Sequence, residues 1–93
     1  IMKLTDSAVA AILNVMKKRK LDTNQIVFEF HLLANGGVGI GFTRDRQGVS
    51  QQYGDLTVMI GNGVNMENTT VDFGEVKGRM GLIFLEDHDS NHR

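Results

Sequence analysis

The N-terminal part of the chain carries a helical pattern of apolar residues. Four of them recur at intervals of three and four, and therefore share one face of a helix: Val9, Ile12, Leu13 and Met16. Thr5 is a favourable N-cap residue, and Asp6 adds negative charge to the first turn. The pattern predicts a helix from about residue 5 to about residue 19, followed by a polar loop at residues 21–24.

Beyond residue 25 the apolar residues alternate with polar ones, as in half-buried strands. Phe28 and Phe30 face one way, whereas Glu29 and His31 face the other. The pattern predicts strands at residues 26–32, 37–43, 49–53, 56–61, 69–76 and 80–86. Turns are predicted where glycine interrupts it, with Gly48 suited to a positive φ and a hairpin around Gly54-Asp55.

These elements predict an α+β fold, in which an N-terminal helix packs on a mixed or antiparallel β structure of about six to seven short strands. We expect the apolar helix face to contact strands that contain four phenylalanines: Phe28, Phe30, Phe73 and Phe84. Residues 1–93 are expected to form a single domain, with residues 87–93 as a flexible tail. One helix cannot cover this many strands, so we also expect self-association, as a homodimer, through exposed strand edges.

Composition excludes several functions. The 93 residues include no cysteine, which excludes disulfides, thiolate zinc sites and a cysteine nucleophile. No apolar run is long enough for a membrane helix, and the N-terminal residues lack the pattern of a signal peptide, so a cytoplasmic location is expected. The net charge of −1 argues against a nucleic-acid partner.

The charge is nevertheless uneven along the chain. Residues 1–24 carry five basic and two acidic side chains, a net of +3, and the remaining residues carry a net of −4. Most of the positive charge lies at residues 17–20. This cluster either opposes the dipole at the helix C-terminus or forms a docking patch for an acidic partner.

Three segments resemble the HesB/IscA family, the A-type carriers of iron–sulfur assembly. The opening "MKLTDSAVAAILNVMKKRKLD" resembles the first helix of the family. The segment "NGGVGIGF" (35–42) is similar to the family's glycine-rich cysteine loop, and "TTVDFGEVKGRMGLIFLED" (69–87) to its last strands. The resemblance covers nearly the whole chain and implies a HesB-like domain with a role in iron–sulfur cluster assembly.

The same resemblance implies that the metal chemistry is lost. The carriers bind iron or a cluster through one cysteine in the glycine loop and two in a C-terminal Cys-Gly-Cys. The loop positions correspond here to Gly36, Gly37, Val38 and Gly39, with Val38 in place of the cysteine. A valine has no lone pair to offer iron, so no cofactor is expected. We expect the glycines to persist as a flexible or bulged strand junction, and Val38 to be at least partly buried.

Other candidate sites are weaker. His88 and His92 stand four residues apart, beside two aspartates, and could form a metal pair if this segment were helical. The glycine loop could also form the wall of a small-ligand pocket. No arrangement of nucleophile and base indicates catalysis.

The sequence therefore favours a non-catalytic, HesB/IscA-like interaction protein without a cluster of its own. Two alternatives stay open: a histidine- and carboxylate-based iron or zinc protein, and a small-ligand binder.

Overall fold

The computed structural model describes residues 2–86, in which one helix and seven strands are formed. The elements in chain order are β1 (Lys3–Leu4), α1 (Asp6–Lys18), β2 (Val27–Leu32), β3 (Val38–Thr43), β4 (Val49–Tyr53), β5 (Leu56–Ile60), β6 (Thr69–Val76) and β7 (Arg79–Glu86). The strands form two mixed sheets, so the predicted α+β class is confirmed. The predicted tail at residues 87–93 lies outside the described residues.

The chain divides into two compact units, and α1 contributes residues to both. One unit combines the residues up to Ala11 with those from Met66 onward, and the other comprises Ile12–Asn65. Each unit is described separately below. The expectation of a single domain stays a prediction.

The first unit contains the three-stranded sheet β1-β6-β7. The short strand β1 runs parallel to β6, with Leu4 opposite Val71, and β6 pairs with β7 in an antiparallel hairpin. Lys77 and Gly78 connect the hairpin, and both have positive φ (52° and 80°). Two central residues with positive φ form a type I′ turn, whose twist matches that of the adjoining strands.

Thr5 joins the beginning of α1 to β6. Its hydroxyl oxygen accepts a hydrogen bond from the backbone N–H of Ala8 (3.1 Å), as an N-cap does, and donates its own proton to Asp72 Oδ1 (2.6 Å). The backbone N–H of Thr5 also donates to the carbonyl of Val71 (2.9 Å). Thr5 thus lies between β1 and α1, caps the helix and binds the adjacent strand β6.

The second unit contains the four-stranded sheet β3-β2-β5-β4. The central strands β2 and β5 are parallel, and the edge strands β3 and β4 pair antiparallel to them. The predicted hairpin around Gly54-Asp55 is present, with Tyr53 opposite Leu56. Only Gly54 of its two central residues has a positive φ (61°), as in a type II′ turn.

The helix ends in a Schellman motif without glycine. The N–H of Leu21 donates to the carbonyl of Met16 (2.9 Å), and the N–H of Lys20 to that of Lys17 (3.1 Å). Lys20 takes the left-handed conformation that glycine usually supplies, with φ 58°. This conformation explains why the helix ends at Lys18, although the sequence contains no conventional stop signal.

The buried side chains differ in part from the predicted core. Ile12 and Met16 are buried, but Ala8 is the third buried position of α1, whereas Val9 and Leu13 are only partly covered. In the strands, Phe28 and Phe30 are buried as expected, but Phe84 is 45 % exposed. The helical periodicity therefore predicted the buried face of α1 correctly, except that the face includes Ala8 and is centred about one residue away from the prediction.

We predict that Thr5→Ala destabilises the protein by about 0.5–2 kcal/mol, the usual cost of losing an N-cap side chain. Thr5→Ser keeps a hydroxyl that can accept from Ala8 and donate to Asp72, so it should retain most of the stability. Urea denaturation of the three proteins measures the difference. Equal losses for Ala and Ser would show that the hydroxyl does not stabilise the helix N-terminus.

The Asp72 carboxylate adds a pH dependence to this contact. The Thr5 hydroxyl, and to a lesser degree the backbone N–H of Phe73, hold the pKa of Asp72 below its usual value. Because the folded-state pKa is the lower one, the resulting stability is complete above the ordinary aspartate pKa. It is lost as pH falls through the folded-state pKa.

We therefore predict that Thr5→Ala moves the pKa of Asp72 back towards its usual value, while Thr5→Ser leaves it low. Titration of the side-chain carboxyl carbon by NMR measures the shift in each protein. An unchanged titration midpoint in Thr5→Ala would contradict the assigned cause.

Candidate functional site

The glycine-rich segment forms the turn of the β2–β3 hairpin and the edge strand that follows it. Leu33 and Gly37 close the loop by a backbone hydrogen bond (2.8 Å), and Asn35 Oδ1 accepts from the N–H of Gly37 (2.9 Å). Gly36 has φ 90°, a conformation that side chains disfavour. These hydrogen bonds and this backbone conformation place Gly36 and Gly37 in the turn.

The segment is not a bulged junction. From Val38 to Thr43 each residue of β3 faces one residue of β2 without interruption, from Leu32 opposite Val38 to Val27 opposite Thr43. A bulge would place two residues opposite one. The expectation of a bulged junction is therefore wrong for this strand.

Gly39, unlike Gly41 on the same strand, makes room for the imidazole ring of His31. These glycines lie on the sheet face that carries Glu29 and His31, directly opposite them in the neighbouring strand. A methyl group at Gly39 would lie 2.5 Å from His31 Nε2 and 2.8 Å from Leu33 Cδ2, whereas one at Gly41 would approach the ring no closer than 3.9 Å. Gly39 therefore permits the ring to lie against the backbone of β3.

His31 also approaches the carboxylate of Glu29. Its Nδ1 lies 3.1 Å from Glu29 Oε2, yet the two atoms do not complete a hydrogen bond, and Nδ1 is shielded from solvent. The side chains keep 39 % and 29 % of their surface exposed. Two protein ligands are fewer than the three or four that zinc sites use.

Val38 lies on the opposite face of the sheet. Val38 is the first residue of β3, and 38 % of its surface is exposed. The side chain is therefore more exposed than expected and lies outside the buried core. Three further apolar side chains on this face are also exposed. Leu32 and Ile40 adjoin Val38, whereas Val49 lies at the same end of the sheet on the far edge strand β4, beyond Phe30 and Ile60. We call these four residues the hairpin-end surface: Leu32, Val38, Ile40 and Val49.

Sequence periodicity did not reveal this surface. Alternation predicts that Leu32 and Ile40 point inwards with Phe30, and they do share its face. They are nevertheless 50 % and 48 % exposed, although Phe30, directly opposite Ile40 on the same face, is fully buried. The sequence did contain one indication of this surface. In β2 the apolar alternation continues to Leu32, beyond Phe30, the last buried residue of that strand.

The described residues contain no group of three histidine, cysteine, aspartate or glutamate side chains able to hold a metal ion. The candidate pair His88 and His92 lies outside these residues. Between residues 2 and 86, the one helix is too short to cross a membrane.

Comparison of the sequence with models of known protein families gives no match, and no curated protein matches it.

We predict that Gly39→Ala destabilises the protein by about 1–3 kcal/mol, the usual cost of overpacking. Gly41→Ala is the matched control, since it lies on the same strand and face but has space for a methyl group. The cost of Gly39→Ala should fall in a His31→Ala background, because the ring that the methyl group meets is then absent. Chemical denaturation of the four variants measures this coupling, and additive effects would exclude the ring as the cause.

Proposed function

We propose that this protein is a non-catalytic, HesB/IscA-like protein that acts through protein contacts in iron–sulfur cluster assembly and holds no cluster itself. The single observation that carries the proposal is Val38. An exposed apolar side chain stands where the resemblance places the thiolate ligand, and it belongs to a larger apolar surface. Such surfaces typically mark contacts with other proteins.

The fold that we propose is a HesB-like domain, and this part of the proposal rests on the resemblance of the three segments. The first and last of these segments meet in the structure, where Thr5 donates a 2.6 Å hydrogen bond to Asp72. This contact joins the two segments but is not specific to one family.

The absence of thiolates sets the chemistry of the proposal. Iron–sulfur centres are held overwhelmingly by cysteine, with histidine as a partial substitute. The 93 residues contain no cysteine. Among residues 2–86, His31 is the one histidine, and Glu29 is the one acidic side chain within ion-pair distance of it. We propose that the protein acts beside the cluster-binding carriers as an interaction partner, in the cytoplasm and as a homodimer.

We predict that the protein binds no cluster when mixed with ferrous iron, sulfide and reductant and then desalted. The product should be colourless and free of stoichiometric iron, and Val38→Cys alone should not restore a stable cluster. A brown product from the unmodified protein would overturn the proposal. Colourless iron or zinc binding that disappears in His88→Ala or His92→Ala would favour the metal-binding alternative instead.

The positive part of the proposal is tested by titration against a cysteine-containing A-type carrier. Val49→Asp places a charge on the hairpin-end surface, and Ser50→Asp places the same charge on the next residue of β4, on the other face. Binding to the carrier should weaken in Val49→Asp and persist in Ser50→Asp. Absence of binding by the unmodified protein would contradict the role in cluster assembly.

A further inference from the structure

The chain contains two Asn-Gly pairs, Asn35-Gly36 and Asn62-Gly63, and both asparagines are exposed. An asparagine before glycine is prone to lose its side-chain amide, because the backbone nitrogen of the glycine can attack the asparagine Cγ and displace ammonia. Glycine favours this attack, since no Cβ hinders the approach of its nitrogen. The two pairs have the same sequence, so a difference in their reactivity must come from the fold.

Hydrogen bonds hold both reacting groups of the first pair. The N–H of Gly36 donates to the carbonyl of Leu33 (2.9 Å), and Asn35 Oδ1 accepts from the N–H of Gly37 (2.9 Å). The attacking nitrogen must give up the proton that binds Leu33, and the bond to Gly37 restrains the carboxamide that it attacks. Both bonds therefore oppose the reaction, although the side chain of Asn35 is exposed to water.

The second pair lacks these hydrogen bonds. It lies between β5 and β6, in a turn that the N–H of Val64 closes by donating to the carbonyl of Gly61 (3.2 Å). Within residues 2–86, neither the carboxamide of Asn62 nor the N–H of Gly63 has a hydrogen-bond partner. Both residues are exposed. Water and hydroxide can therefore reach both reacting groups.

We propose that Asn62 is a site of spontaneous deamidation in the folded protein, and that the fold protects Asn35. The nitrogen of Gly63 loses its proton to hydroxide and forms a bond to Cγ of Asn62. The bond from Cγ to Nδ2 then breaks, and the side-chain nitrogen leaves as ammonia after taking a proton from water. The product is a cyclic succinimide.

Water completes the modification. It opens the succinimide at either carbonyl group, which gives aspartate when the ring opens at one and isoaspartate when it opens at the other. The sum of the steps consumes water and releases ammonia, so it needs no oxidant, cofactor or second protein. The inference does not depend on a role in iron–sulfur assembly.

Deamidation changes the loop next to the hairpin-end surface. A Cβ atom at Gly63 would lie 3.1 Å from Cδ2 of Leu32, so this loop adjoins one residue of that surface. Both products carry a carboxylate in place of the neutral amide, and isoaspartate also lengthens the backbone by a methylene group. The modification therefore adds a negative charge one residue away from the contact with Leu32.

Ageing of the folded protein at mildly alkaline pH tests the proposal. Trypsin cleaves after Arg44 and Arg46, so the two pairs appear in separate peptides, 21–44 and 47–77. Mass spectrometry should show loss of amide about tenfold faster in peptide 47–77, as expected if Asn35 must first lose two hydrogen bonds of ordinary strength. Chromatography separates the aspartate and isoaspartate forms, and both should be present.

Two controls connect the difference in rate with the fold. In guanidinium chloride the protecting hydrogen bonds are absent, so the two pairs should react at similar rates. Asn62→Gln should abolish the change in peptide 47–77, because glutamine must form a larger ring that closes more slowly. A change that persists in this variant would assign the reaction to Asn65 or Asn68 and overturn the proposal. Equal or faster reaction at Asn35 in the folded protein would overturn it as well.

Discussion

The hydroxyl group of Thr5 is the interaction on which the organisation of the first unit depends. It satisfies a free N–H in the first turn of α1 and simultaneously donates to the Asp72 carboxylate of β6. A hydroxyl can do both because it has one proton and two lone pairs. The charged acceptor strengthens the bond and, in turn, the bond keeps the carboxylate ionised. The same side chain therefore caps α1 and holds the helix N-terminus against β6.

The glycine-rich segment shows two different uses of the missing Cβ. Gly36 supplies a backbone conformation in the turn, whereas Gly39 supplies space beneath the ring of His31. β3 is followed by a loop and another strand, not by the helix N-terminus that commonly binds phosphate after a glycine-rich turn. The glycines fit ordinary hairpin construction, and the exposed Val38 between them is the feature that points to a partner.

Local features of the sequence determined the elements. The helix with its N-cap Thr5, the strands and the hairpin turns follow from periods of 3.6 and 2 and from glycine positions, because these patterns depend on neighbouring residues. Only the tertiary structure decided which residues meet. Thr5 and Asp72 are 67 positions apart, and His31 reaches Gly39 only through the register of β2 and β3. The exposure of Val38, Leu32 and Phe84 was likewise undecided, since an apolar residue is buried only where another element covers it.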